Sequence, residues 1–255
     1  MAISKTSEII LGRVEHINAS HFNCLSFTKA SDVVNGINVR LTNMAGDYPF
    51  SFGGVTWRDS ETLYLCGEFS DSSDKNLFVQ KEILCQTSGF AAKRFVKNKY
   101  KKFIRCDFSA FRIQWMLFVV WMKCKNNVDF ANMLLQLPHD AIIIEDTTKQ
   151  HADTKEIWGC TNIELTARRT EVKKEIIRQA KMDNPMISKA ALKRLVNIET
   201  CKVNGIGVFI GENNLGKILM ICRDCLANGT KPPIDYNLLE SKDIHILGKR
   251  ISFIH

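Results

Sequence analysis

Residues Pro49 to Phe69 read PFSFGGVTWRDSETLYLCGEF, and the hydrophobic period changes inside that stretch. Pro49 to Trp57 sets apolar residues around a Gly53-Gly54 turn signal, as a short strand region does. From Ser60 the apolar side chains return at helical spacing, through ETLYLCGEF. Glu61 falls in the first turn of that helix, where an acidic side chain offsets the helix dipole. Taken alone, Glu61 needs no further role than that. The switch from period two to period 3.6 within one connection marks a chain that mixes strands and helices.

Toward the N-terminus the same strand character continues. Residues 8–58 hold short apolar runs broken by turn signals such as Asn35-Gly36, and Ile37 to Leu41 reads as a strand. Toward the C-terminus helices dominate, with KNLFVQKEIL and then GFAAKRFVKN. Phe108 to Cys124 is the most hydrophobic helical segment and is expected to be central. AIIIED, residues 141–146, reads as a short buried strand. Residues 161–200 carry two helical patterns divided by the turn Asp183-Asn184-Pro185. In GENNLGKILMICRDCL, Gly211 to Leu226, Gly211 is expected to open a further helix. Ile244 to Phe253 ends the chain in a strand-like alternation. The expected fold is α+β and helix-dominated, one domain over 1–255 with a small antiparallel sheet near the termini. No internal repeat or low-complexity tract interrupts it.

The 255 residues, 45% of them hydrophobic, suffice for a full core, and the formal net charge of +8 favours anionic partners. Nine cysteines at uneven spacing form no disulfide framework, and MAISKTSEII contains no apolar signal region. A reducing, cytoplasmic setting is therefore expected. The longest apolar run, Trp115 to Met122, is far shorter than the ~18 residues a membrane span requires, so no membrane partner is expected.

Several stretches invite a chemical reading beside a plain structural one. Cys222 and Cys225 have the C-x-x-C spacing but no second pair, so buried thiols fit better than zinc, and no metal is implied. His16, His21, His139 and His151 show no ligand spacing. Between Lys93 and Arg105 seven basic residues occur without an acidic one, interleaved with Phe95, Tyr100 and Phe103. That pattern suits phosphates and stacked bases, and equally an amphipathic helix whose aromatic residues face inward. Residues 161–200 hold nine Lys or Arg against five Asp or Glu, which suits a solvated face or a nucleic-acid grip. In KEIWGC, Trp158 could serve as a stacking wall or as a core anchor.

Taken in order, these pieces resemble the NADAR family of YbiA-like N-glycosidases. The resemblance runs through Leu41-Thr42-Asn43-Met44, the Pro49 to Val55 strand and turn, Ser60-Glu61 with Tyr64, and Ala91-Ala92-Lys93. It continues through Met116 and Lys123, Leu134-Leu135, Ile144-Glu145 and Trp158-Gly159. It closes with Gly211, Asn213, Leu215, Gly216, Leu219, Met220 and Arg223. The match spans roughly residues 38–228, with 161–200 standing out as a basic helical insertion. The chain departs from the pattern at three places. Glu68 replaces a usual lysine, Leu65 a common glutamine, and Lys155 a usual aspartate, with Asp153 and Glu156 beside it as substitutes.

The resemblance implies hydrolysis of an N-glycosidic bond, in an ADP-ribosyl-guanine carried by nucleic acid or in a phosphoribosyl intermediate of riboflavin synthesis. No cofactor is implied. Glu61 is assigned the carboxylate that stabilises the sugar cation, and Asp153 or Glu156 the second acid or base. Asn43, Tyr64, Lys93, Glu145, Trp158, Gly159, Gly211, Asn213, Gly216 and Arg223 are the expected ligand contacts. GENNLG then reads as a turn whose backbone N–H groups face an anion at a helix start. Segments 93–105 and 161–200 add nucleic acid as a partner. The alternative reading is a catalytically degenerate sensor or sponge that binds ADP-ribose or a similar nucleotide. Glu68 and Lys155 favour that alternative, while Glu61, Asn43, Trp158 and Asn213 favour the enzyme.

Overall fold

The computed structural model of the protein describes residues 9–28, 33–34, 37–38, 40–150 and 155–253. The Asn35-Gly36 turn, His151 and the candidate acid Asp153 lie outside the described residues. Along the chain, strands β1 (Glu15–Asn18), β2 (Cys24–Phe27), β3 (Val33–Val34) and β4 (Ile37–Asn38) come first. The hairpin strands β5 (Phe50–Phe52) and β6 (Val55–Trp57) follow. Helices α1 (Ser60–Glu68), α2 (Asp74–Leu84), α3 (Gly89–Lys99), α4 (Phe108–Asn126) and α5 (Val128–Gln136) then lead to β7 (Ile142–Glu145). The rest comprises α6 (Lys155–Trp158), α7 (Ile163–Asp183), α8 (Lys189–Cys201), β8 (Val208–Gly211), α9 (Asn214–Asn228) and α10 (Tyr236–Ser241). The strands β9 (His245–Ile246) and β10 (Lys249–Arg250) close the order.

Helices dominate, and the strands among the described residues pair two by two. Four of these pairs are antiparallel; β2 with β7 is parallel, Leu25 standing opposite Ile143. The chain divides into two compact units, each discontinuous in sequence. One comprises Met1–Ile9, Arg40–His139 and Ile218–His255, the other Ile10–Val39 and Asp140–Lys217.

In the first unit α1 is buried along almost its whole length, from Ser60 to Gly67. Its start is fixed by Asp59, whose side chain accepts from the Thr62 backbone N–H at 2.8 Å. α1 and α4 cross closely at Gly67, where a Cβ would collide with the Trp115 indole. That indole donates to the Tyr64 carbonyl at 3.2 Å. The hydrophobic helix expected over 108–124 is thus present and deeply buried, but it shares the centre of this unit with α1. Buried Gln80 fastens the end of the chain. It donates to the carbonyls of Cys66, Phe69 and His245, and accepts from the Leu247 backbone N–H. The alternation at 244–253 is therefore a two-residue-per-strand hairpin and not a longer strand.

The second unit builds a ribbon from short pieces. Cys160 bonds to the β7 end through Glu145 O at 2.8 Å, and Thr161 exchanges bonds with Ile210 of β8 at 2.8 and 3.0 Å. These bridges join the β2–β7 pair to the β8–β1 pair. Ile17, Ala19, Ile144, Cys160, Leu165 and Phe209 form the core beneath. α7 and α8 pack on each other, as the two helical patterns of 161–200 imply. Few of their side chains are buried, with Leu165, Ala180 and Val196 the exceptions.

Gly211 requires a correction. It ends β8, paired with Glu15, and the helix starts three residues later at Asn214. VFIG is drawn into extended structure by β1, a partner nearly two hundred residues away in the chain, so local spacing does not reveal it.

Candidate active site

The candidate residues fall in both units. Asn43, Glu61, Tyr64, Lys93 and Arg223 belong to the first; Glu145, Glu156, Trp158, Gly159, Gly211, Asn213 and Gly216 belong to the second.

In the first unit the loop at Asn43 closes on the start of α1. The Asn43 carbonyl accepts from the Glu61 backbone N–H at 3.0 Å, and its side-chain amide meets the Met116 sulfur at 3.2 Å. Glu61 is 3% exposed. Its Oε1 lies 3.1 Å from Lys93 Nζ, which reaches in from α3 with about half its side chain in solvent. That oxygen is fully buried, and no hydrogen-bond donor is aligned with it. A buried carboxylate held by one charge and no aligned donor is unusual, because burial of an ionised group normally demands both.

The same face of α1 carries Tyr64 one turn on and Glu68 two turns on, at the i, i+3 and i+7 positions. Burial pushes the Glu68 carboxyl up to about 8; the Glu61 carboxylate adds to that rise and Lys93 opposes it. Burial likewise holds the Tyr64 phenol well above its usual range, with Glu68 and Glu61 reinforcing the effect and Arg112 opposing it. Arg112 comes from α4, and its buried Nε also lacks an aligned partner. The structure thus gathers two carboxyl groups, a phenol, a lysine and an arginine around one helix face. Of the two carboxyl groups, Glu61 ion-pairs with Lys93, and Glu68 is pushed toward its protonated form by burial.

Two features of this cluster escape the sequence reading. Gly89, at the start of α3, lies where a Cβ would crowd the Asp59 carboxylate (2.7 Å) and the Glu61 Cβ (3.1 Å), so a glycine lets α3 approach. Asp59 is fully buried and orders its surroundings through Arg58 at 2.9 Å and the Thr62 hydroxyl at 2.7 Å. Only the place of Asp59 two residues before Glu61, and of Gly89 four residues before Lys93, could have drawn notice to them.

In the second unit the anion cradle expected at GENNLG is corrected. The N–H of Glu212 donates to Glu156 O at 2.6 Å and that of Asn213 to Gly159 O at 3.3 Å, so neither faces a ligand. The Asn213 amide clamps β7, donating to Ile143 O at 2.8 Å and accepting from the Glu145 N–H at 3.2 Å. Gly211 and Gly216 do permit close approach, but to the protein's own backbone. Added Cβ atoms would strike Gly159 O and Ile143 O respectively. Gly159 is needed for the same reason, against Glu145 O. Trp158 is half-buried at the end of α6, and Glu156 on the same short helix is exposed. Arg223 is buried, pairs with Asp224 at 3.2 Å and donates to Pro138 O at 2.8 Å, a core anchor in the first unit.

The basic segment on α3 is partly turned inward. Phe95 and Phe103 pack on Tyr100 at 5.3 and 6.2 Å, and Lys75 sits over the Phe103 ring. Arg94, Lys97, Lys99, Lys101 and Lys102 remain exposed, as does Phe90. Phe90, Arg94, Phe95 and Lys99 line a shallow cleft of about 460 Å³. Among the described residues no group of three or more His, Cys, Asp or Glu side chains is placed to hold a metal ion. No helix among them is long and apolar enough to cross a membrane, and all nine cysteines are free thiols.

No protein-family model matches the chain, and no curated protein matches it. Among solved structures, it is similar to the NMR structure of the E. coli protein YbiA. The TM-score is 0.47 and the identity 19%, over 83% of this chain and 93% of that one.

Proposed function

We propose that the chain is an N-glycosidase that hydrolyses the bond between ribose and base in an ADP-ribosyl- or phosphoribosyl-linked base. The observation that supports this most directly is Glu61: a carboxylate almost wholly removed from water, with one oxygen lacking an aligned donor. Cleavage of a C1′–N bond builds positive charge on the ribose, and an anion in a low-dielectric setting stabilises that charge strongly. Lys93 pairs with Glu61 at 3.1 Å, and its half-exposed side chain is long enough to meet a phosphate as well. The ordered motifs from Asn43 to Arg223 support the same reading. Water is the only co-reactant required, so the chemistry needs no cofactor.

A polymer-borne substrate fits the exposed cations of α3 and the segment after it, Arg94 to Lys102, which offer phosphate contacts beside Phe90. The test is to incubate the purified chain with ADP-ribosylated guanosine, free and within an oligonucleotide, and with a phosphoribosylated pyrimidine. Released base is followed by mass spectrometry. Base release from at least one substrate is expected; none from any of them would refute the proposal.

A further inference from the structure

The solvent side of α3 carries side chains that neither the fold nor Glu61 uses. Gly89, Ala92 and Val96 turn the inner side of this helix into the core, whereas exposed Phe90, Arg94 and Asn98 recur at four-residue spacing on the outer side. The Phe90 ring is 65% exposed, more than any other phenylalanine among the described residues, and it packs on no other ring among them. Leaving so large an apolar ring in water forgoes the stabilisation that burial gives. Phe90 borders the cleft of about 460 Å³, with Arg94, Phe95, Asn98 and Lys99 around it. One wall of that cleft is fixed. Phe95 packs on Tyr100 at 5.3 Å, and Lys99 Nζ lies 5.4 Å from the Phe95 ring centre and 5.3 Å from that of Tyr100. The charge nearby is of one sign. Of the basic residues from Lys93 to Arg105, those two are paired, with Glu61 and Asp107. Arg94, Lys97, Lys99, Lys101 and Lys102 form no ion pair among the described residues, and no acidic residue interrupts the run.

We propose that this cleft is a stacking subsite for an unpaired base of single-stranded nucleic acid, with Phe90 against the base and Arg94 and Lys99 on the flanking phosphates. A solvent-facing ring among uncommitted cations matches both halves of a nucleotide, the flat base and the charged phosphate. An acidic peptide would engage the cations and leave the ring idle. A duplex keeps its base faces stacked on one another, so Phe90 favours a single strand. Asn98 brings an amide to the same cleft, able to bond a base edge. Stacking accepts any base, so little sequence preference follows. Neither hydrolysis nor Glu61 enters this binding, which therefore stands or falls separately from the glycosidase reading.

The experiment is fluorescence anisotropy of the full chain with a labelled, unmodified oligonucleotide of about 12 nucleotides, as single-stranded DNA, as single-stranded RNA and as the matching duplex. Wild type is expected to bind at least one of the single strands about tenfold or more tightly than the duplex. Phe90→Ala is expected to weaken that binding by about 5- to 100-fold without changing its salt dependence. Phe90→Trp restores a stacking ring and should bind within about threefold of wild type. Arg94→Gln should reduce the slope of log affinity against log salt by about 0.7. No binding of either strand at low salt, equal affinity for strand and duplex, or unchanged affinity in Phe90→Ala would overturn the proposal. Inorganic polyphosphate, which has no base to stack, serves as the control. Its binding should not respond to Phe90→Ala, and equal weakening there would overturn the stacking role.

Discussion

Replacing Glu68 by glutamine should make the protein more stable in mild alkali and remove a pH dependence that the wild type shows. In the unfolded chain the carboxyl ionises near its ordinary value of 4.5; in the folded chain burial and Glu61 delay ionisation to about 8. Between those two values the folded state holds more protons than the unfolded one, so stability falls as pH rises. The stability that the protonated group keeps below the lower value is fully lost above the upper one. At about 1.4 kcal/mol per pH unit the whole window amounts to ~5 kcal/mol. Glu68 is not wholly buried, and solvent screening reduces this to about 2–3 kcal/mol. Urea unfolding at about pH 5, 7 and 9 measures it. Wild type should lose that amount across the series, and Glu68→Gln should lose much less. Parallel curves for the two proteins would refute the reasoning, because no proton would then be held at Glu68 by the fold.

Other perturbations separate further parts of the structure. Lys123 is 1% exposed and sits over the Phe130 ring at 4.1 Å; burial lowers its ammonium to about 8 from 10.5. The folded state therefore holds fewer protons than the unfolded one between those values, and stability should rise with pH there. Lys123→Met should abolish that rise in the same unfolding series extended to about pH 10. Gly67→Ala drives a methyl group into the Trp115 indole and should cost about 3 kcal/mol in urea unfolding. Asn213→Ala leaves the Ile143 carbonyl and Glu145 N–H of β7 without partners and should cost about 2–4 kcal/mol, with hydrogen exchange accelerated at β7. Arg94→Glu with Lys97→Glu should weaken binding of a single-stranded oligonucleotide about tenfold and lower its salt dependence, as fluorescence anisotropy would show.

Much of the helical layout is legible in the sequence because apolar side chains recur at helical spacing, and the structure adds the caps that start those helices. Ser73, Ser88, Asn127, Asn162 and Ser188 each accept from a backbone N–H three residues on, and each precedes a recognisable apolar period. The Gly53-Gly54 turn likewise marks the β5–β6 hairpin. Long-range strand pairing is not legible. CLSF at β2 has too few residues to show a period, and its parallel partner β7 lies more than a hundred residues further on. Gly211 is misjudged for that reason, since its conformation is set by Glu15. At the candidate site, Glu61 is singled out only by the Ser60-Glu61 motif of the family resemblance, because an acidic residue in a first helical turn is ordinary by itself. Asn213 is noticed for the right prominence but the wrong contact, its amide serving β7. Glu68 registers only as a departure from a pattern. Its affinity for a proton depends on burial, on Glu61 and on a lysine 25 residues away, and none of these follows from the helix alone.

The central claim is that Glu61 stabilises a sugar cation. A single-turnover assay on whichever ADP-ribosyl or phosphoribosyl conjugate the wild type cleaves, run with Glu61→Gln beside it and with ligand affinity measured separately, addresses that claim most directly. The expected result is affinity within about threefold of wild type and a rate reduced by at least ~10³-fold, as befits a group that acts in the transition state. Base release by Glu61→Gln at the wild-type rate would contradict the account.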